Sequence, residues 1–233
     1  MSKSSELLYR LDEDFIDKFF ATFKDIINYK FEDDYELIDV VDQFLQKTYG
    51  VSFSLRRFGK QLSARYLPHS YSIKVVAPNN ILDPADVFDI LITVLHELSH
   101  HRAIQSNPVL FKNYKPLDSV DSITSNILQS IERSAYAISV SFEMVNKDFT
   151  VSKLVRLANS FRHFDYEMIE NELKDWDLDL KNSDIGLIIY VLSKSNKKDR
   201  RRQRLLKAIT KAYKKVSAYM GRFGPSLVKG VVQ

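Results

Sequence analysis

Apolar residues recur at three- and four-residue steps over most of the chain, and at two-residue steps in two short stretches. The first periodicity is that of a helix with one buried face, the second that of a strand. Leu7, Leu8, Leu11, Phe15, Phe19, Phe20, Phe23, Ile26 and Ile27 predict a helix over residues 6–30. Leu37, Val40, Val41, Phe44 and Leu45 predict another over 33–48, ended by Tyr49-Gly50 because glycine tolerates the left-handed cap conformation. Residues 51–57 alternate apolar and polar and predict a strand; 70–77 predict a second, stopped at Pro78. Asp83, Pro84 and Asp86 form a start signal for a helix reaching about Gln105. Asp118 and Asp121 open a further helix, 119–145, with Ile123, Ile127, Ile131, Ala135, Ile138 and Phe142 on its apolar side. Four more helices are expected at 152–161, 165–174, 184–194 and 199–220. The sum is an α+β protein, predominantly helical, with a small sheet.

Composition removes several classes of function. Cysteine is absent, which excludes a disulfide-stapled fold, a thiol nucleophile, an iron–sulfur cluster and a thiolate zinc site. Only six Gly and six Pro in 233 residues argue against a turn-dense barrel or sandwich. No apolar run approaches the roughly 18 residues of a membrane span, and Met1 to Leu8 has no signal-peptide core. A cytoplasmic protein, or one packaged from the cytoplasm into a virion, is the expectation.

Chemistry concentrates in Val94-Leu95-His96-Glu97-Leu98-Ser99-His100-His101. In a helix, residues four apart project from one face on successive turns, so His96 and His100 can reach one zinc ion, while Glu97 beside them can act as general base on a metal-activated water. The helix around them is apolar almost all round, from Val87 and Phe88 to Leu95 and Leu98, and must be buried. Its polar exceptions, Asp89, Thr93, His96, Glu97 and His100, share one stripe, and buried polar groups need partners. The plain alternative is two satisfied core histidines with a surface Glu. His101 points about 100° away from His100 and is a poor ligand for the same ion. Of the other histidines only His69 and His163 remain, so a carboxylate from the next helix is the better third ligand. Glu132 is that helix's only acid between Asp121 and Glu143, near the small residues Ala135 and Ala137. Its plain alternative is an exposed Glu paired with Arg133 or a Lys.

His96-Glu97-Leu98-Ser99-His100, with Glu132-x-x-Ala135 downstream, resembles the gluzincin class of zinc metallopeptidases, and among them the compact ImmA/IrrE-like group. The resemblance covers roughly residues 50–145. It implies a zincin-like core, with a small sheet packed on the active-site helix, and hydrolysis of peptide bonds in a protein or peptide substrate. It implies Zn2+ held by His96, His100 and Glu132, and Glu97 as the catalytic base. Tyr136 and His163 are candidates to stabilise the transition state, and Asp89, Asp118 and Asp121 to orient an imidazole from behind. In zincins generally an edge strand near the metal pairs with extended substrate, and strand 70–77 is a candidate for that role.

The net charge of +4 hides an asymmetry. Residues 197–233 hold twelve Lys or Arg against one acid, Asp199, whereas the other 196 residues hold 22 basic and 29 acidic side chains. This suggests a domain over 1–196, with N-terminal helices around the metallopeptidase core, and a basic amphipathic helix with a flexible arm over 197–233. Leu205, Leu206, Ile209, Ala212, Tyr213 and Val216 form the apolar stripe of that helix. The stripe can dock on the acidic body. Alternatively the cations, Arg200, Arg201, Arg202 and Arg204 foremost, can meet nucleic-acid phosphates, an anionic membrane or an acidic protein partner. The rival to a peptidase is therefore an inactive zincin-like scaffold fixed to nucleic acid or a larger assembly through this tail.

Overall fold

The structure, a computed structural model, describes residues 18, 19, 21, 22, 25, 26, 29–57, 59, 62–78, 84–106, 124 and 127–223. Its elements, in chain order, are α1 (Asp34–Tyr49), β1 (Ser52–Arg56), β2 (Ser63–Leu67), β3 (Ser72–Val76), α2 (Pro84–Ser106), α3 (Ser130–Asn146), α4 (Val151–Ser160), a 3-10 turn (Phe161–His163), α5 (Tyr166–Lys174), α6 (Asp184–Lys194) and α7 (Arg200–Phe223). The fold is mostly helical with one small mixed sheet, the expected α+β class. No helix among the described residues is long and apolar enough to cross a membrane. The chain divides into two compact units, residues 1–113 with 221–233, and residues 114–220. This partition differs from a division at residue 196 drawn from charge.

In the first unit, helix 6–30 is met only in part: residues 18–19, 21–22 and 25–26 are helical, with Phe19 and Ile26 buried, and the rest lies outside the described residues. Helix α1 begins where the Asp33 side chain accepts the Glu36 amide at 2.9 Å. It ends at Gly50, whose φ of 67° lets its N–H reach the Gln46 carbonyl at 3.0 Å. The strands run in the order β1-β3-β2, with β1 parallel and β2 antiparallel to β3. Register aligns Phe53, Ile73 and Tyr66 in one cross-strand row and Leu55, Val75 and Ala64 in the next. These rows make the inner face of the sheet; Ser54, Arg65 and Lys74 alternate with them on the outer side.

Two expectations change here. Strand 70–77 does form, as β3, but it is the central strand, so its backbone is paired on both sides and cannot serve as an edge. The edge next to α2 is β2, which the sequence pattern did not predict. Both sheet edges are capped by a helix carboxylate. Asp42 of α1 accepts the Phe53 N–H of β1 at 2.6 Å, and Glu97 of α2 accepts the Tyr66 N–H of β2 at 2.6 Å. Such caps remove exposed edge donors that would otherwise invite pairing with another chain.

In the second unit, the helix expected over 119–145 is broken. Leu128 and Gln129 leave helical geometry, Gln129 is extended (φ −69°, ψ 158°), and α3 starts afresh at Ser130. Residues 107–123, including Asp118 and Asp121, lie outside the described residues. The shorter helices start on side-chain caps, Thr150 for α4, Asp165 for α5 and Ser183 for α6. Helix α6 is the apolar centre of the unit, with Ile185, Ile188, Ile189, Val191 and Leu192 buried. Gly186 permits its close packing: a Cβ there would lie 2.9 Å from the Asp179 carbonyl oxygen and 3.0 Å from Leu180 Cα. Helix α7 turns Leu205, Ile209, Ala212, Val216 and Met220 into the core, and Ser141 of α3 shares its hydroxyl proton between the Ala137 and Ile209 carbonyls. The apolar stripe therefore docks on protein, the first of the arrangements open to it.

Glu143 of α3 caps α6 from outside. Its carboxylate accepts the Ser183 hydroxyl at 2.6 Å and the Ile185 N–H at 2.8 Å, at the positive end of the α6 dipole. Burial, and then the charge of Asp184, push its pKa up to about 7 against those two donors and Lys147. A pKa raised by folding means that the folded chain holds this proton more tightly than the unfolded one. The contribution is thus fully present below about 4.5 and is lost as pH rises through about 7. Glu143→Gln cannot ionise. Urea unfolding across that interval should show the wild type losing about 1–3 kcal/mol relative to the variant. A difference that does not vary with pH would contradict this.

Candidate metal and carboxylate site

Helix α2 carries the H-E-x-x-H residues because it is both uninterrupted and buried. No Gly or Pro follows Pro84 within it, and Val87, Phe88, Ile90, Leu91, Ile92, Val94, Leu95 and Leu98 are all buried. Short polar side chains on the helix return to its own backbone: Thr93 donates to the Asp89 carbonyl at 2.8 Å and Ser99 to that of Leu95 at 2.9 Å. The imidazoles of His96 and His100 stack one turn apart, with centroids 5.0 Å apart and planes at 74°. His100 is buried and His96 half-buried. Asp89 is exposed.

Glu97 is 7% exposed, yet it is a charged group that needs a donor. It finds one in the Tyr66 N–H of β2, at its Oε2. The hydroxyl of the same tyrosine makes a second link to α2, sharing a hydrogen bond with His101 Nδ1 at 2.6 Å. The rings of Tyr66 and His101 meet edge-on at 5.2 Å, and Tyr71 meets His101 in the same way at 5.8 Å. Tyr71 reaches that position from a left-handed turn residue, φ 46°. Burial lowers the His101 pKa, opposed by the Tyr49 backbone carbonyl, and burial raises the Tyr66 hydroxyl to about 12, helped by Tyr71. The link is therefore between neutral groups. His101, set aside as a ligand from helix geometry alone, is committed to the strand.

In the second unit Glu132 is 6% exposed and lies in the first turn of α3, where a carboxylate is favoured by the helix dipole. It is thus not the exposed surface Glu of the plain reading. Its neighbour Arg133 is also buried and donates from Nη1 to the Leu128 carbonyl at 3.2 Å, tying the break before α3 to its first turn. Tyr136, Ala135 and Ala137 are buried on the same helix. His163 lies in the 3-10 turn after α4, exposed. Of the four arginines grouped from the sequence, Arg200, Arg201 and Arg204 are exposed, but Arg202 turns inward, 6% exposed, and donates from Nε to the Leu192 carbonyl at 3.4 Å.

Sequence reasoning missed Tyr66. The signal was present in Ser63-Ala64-Arg65-Tyr66-Leu67, where Ala64 and Tyr66 alternate with polar residues, but an alanine is a weak apolar mark in so short a run. Comparison of the chain with protein-family models, with curated proteins and with solved structures found no match.

Tyr66→Phe keeps the ring and the backbone N–H but strips His101 Nδ1 of its partner. Leaving that buried nitrogen unsatisfied should destabilise the protein by about 1–3 kcal/mol in urea unfolding. Stability unchanged from wild type would mean that the Tyr66–His101 bond contributes nothing net.

Proposed function

We propose that this chain is a zinc-dependent metallopeptidase of the gluzincin type, with His96, His100 and Glu132 as metal ligands and Glu97 as the general base. One observation carries the reading. On the buried helix α2 the imidazoles of His96 and His100 stack one turn apart, with centroids 5.0 Å apart and Glu97 directly after His96, the spacing at which both rings can reach one ion.

The donor set fits zinc. Imidazole nitrogen with carboxylate oxygen suits a borderline cation, whereas calcium and magnesium take shells made mostly of oxygen. Three protein donors also leave a fourth position open, which distinguishes a catalytic from a structural zinc site. When bound there, zinc supplies Lewis acidity toward a peptide carbonyl and toward water.

The chain's own residues supply the rest. Tyr66 N–H holds Oε2 of Glu97, which orients the carboxylate and leaves Oε1 to take a proton from water and return it to the leaving amine nitrogen. The Tyr66–His101 bond keeps β2 seated on α2, so the carboxylate and its donor move as one piece. The burial of Glu97 keeps competing water from that oxygen pair. Tyr136 and His163 remain the candidates for stabilising the developing oxyanion.

Metal analysis of the purified full chain tests this directly. About one zinc per chain is expected, lost in His96→Ala and in Glu132→Ala. Glu97→Gln should keep the zinc while hydrolysis of an unfolded protein substrate such as casein falls by about 10²–10⁴-fold. A protein without zinc, or zinc indifferent to His96→Ala, would end the proposal. Zinc retained without any hydrolysis would leave the scaffold reading in its place.

A further inference from the structure

The outward face of α7 is a row of cations with no counterpart. Arg200, Arg204, Lys207, Lys211 and Lys214 recur at steps of four and three residues, which places them within about 80° of one another around the helix. All are exposed, and none has an acidic partner among the described residues. Asp199, the only acid of this segment, is taken by Arg201 at 3.1 Å. The row is about 21 Å long, so its five cations fall roughly every 5 Å along the axis, the same order as the roughly 3.4 Å axial spacing of phosphates along one strand of duplex DNA.

Two features show that this charge is crowded rather than merely solvated. The first turn of α7 holds no acid, and Arg200, Arg201 and Arg202 sit there against the positive end of the helix dipole. Buried Arg133 is depressed to about 10, by burial first and then by the charges of Arg204 and Arg201, and Arg202 is lowered by burial and by Arg162. Guanidiniums of α3, α7 and the 3-10 turn thus repel one another at one end of the helix. A dense polyanion laid along this face would relieve that repulsion.

We propose that the exposed row Arg200–Arg204–Lys207–Lys211–Lys214 binds the sugar–phosphate backbone of nucleic acid, without reading its sequence. A membrane surface is the weaker fit because an interfacial helix inserts an apolar face. Here Leu205, Ile209, Ala212, Val216 and Met220 are buried within the protein, and no exposed large hydrophobic residue lies on α7 among the residues whose burial is described. Sequence-independent binding follows from the residue types, since lysines on a helix face meet phosphates as point charges. This inference does not depend on the metal site.

The test is fluorescence anisotropy of the full chain with a labelled DNA duplex of arbitrary sequence, titrated at several salt concentrations. Five phosphate contacts predict a slope of log affinity against log salt of about −4.5. The variant R204E/K207E/K211E/K214E should bind at least about 100-fold more weakly at low salt and lose about 3.6 from the slope. Because these positions are exposed, its circular dichroism and thermal unfolding should match the wild type. The charge-preserving variant R204K/K207R/K211R/K214R should bind like the wild type. The proposal fails if the wild type does not bind at about 50 mM salt, or if charge reversal leaves affinity unchanged. It fails also if the charge-preserving variant loses binding, or if phosphatidylserine vesicles retain the protein at salt concentrations that release it from the duplex.

Discussion

A carboxylate buried on an apolar helix must be given a donor, and the bond from Tyr66 N–H to Glu97 is how this protein meets that requirement. The bond does three things at once. It satisfies a carboxylate that is largely buried, it caps the free edge of β2, and it ties the strand to the helix. The second link, Tyr66 hydroxyl to His101, comes from the same residue and gives the strand only one seat on α2. Two adjacent polar positions of α2, Glu97 at one side of His96 and His101 at one side of His100, are thereby spent on the sheet. His96 and His100 are left to face one another on successive turns.

The same logic recurs elsewhere with different partners. Asp42 caps the opposite sheet edge through Phe53, and Glu143 caps the start of α6 through Ser183 and Ile185. In each case a helix carboxylate stands against a backbone donor that has no partner in its own element, which is where a charge-assisted hydrogen bond is worth most. The acidic side chains of the chain are therefore partly structural. Most of the basic ones of α7 differ: Arg200, Arg204, Lys207, Lys211 and Lys214 are exposed with no acidic partner among the described residues, while the stripe behind them closes the core of the second unit. One helix thus combines a packing role on one face with a concentration of unspent charge on the other.

Much of the local structure was written in the residue order. Asp33 and Gly50 bound α1, the alternation of 52–56 and 72–76 makes strands, and the apolar continuity of 87–98 buries α2, because each of these depends on neighbours within four or five positions. The one-turn spacing of His96 and His100 and the divergence of His101 follow from the same helical geometry. Residue order singles out Glu132 as the lone acid of its helix between Asp121 and Glu143, but not its place in a first turn, because the helix break at Leu128–Gln129 carries no Gly or Pro to announce it.

What the tertiary structure alone decided is pairing. Strand order put β3 in the centre and made Tyr66, unremarked in the sequence, the partner of both Glu97 and His101. Packing turned Arg202 inward while Arg200, Arg201 and Arg204 stayed outside, since the first turn of α7 can present only part of its circumference to solvent. Periodicity fixes which face of an element is buried. It does not fix which buried donor meets which buried acceptor, because those partners lie some thirty or more residues apart and are brought together only when the elements pack.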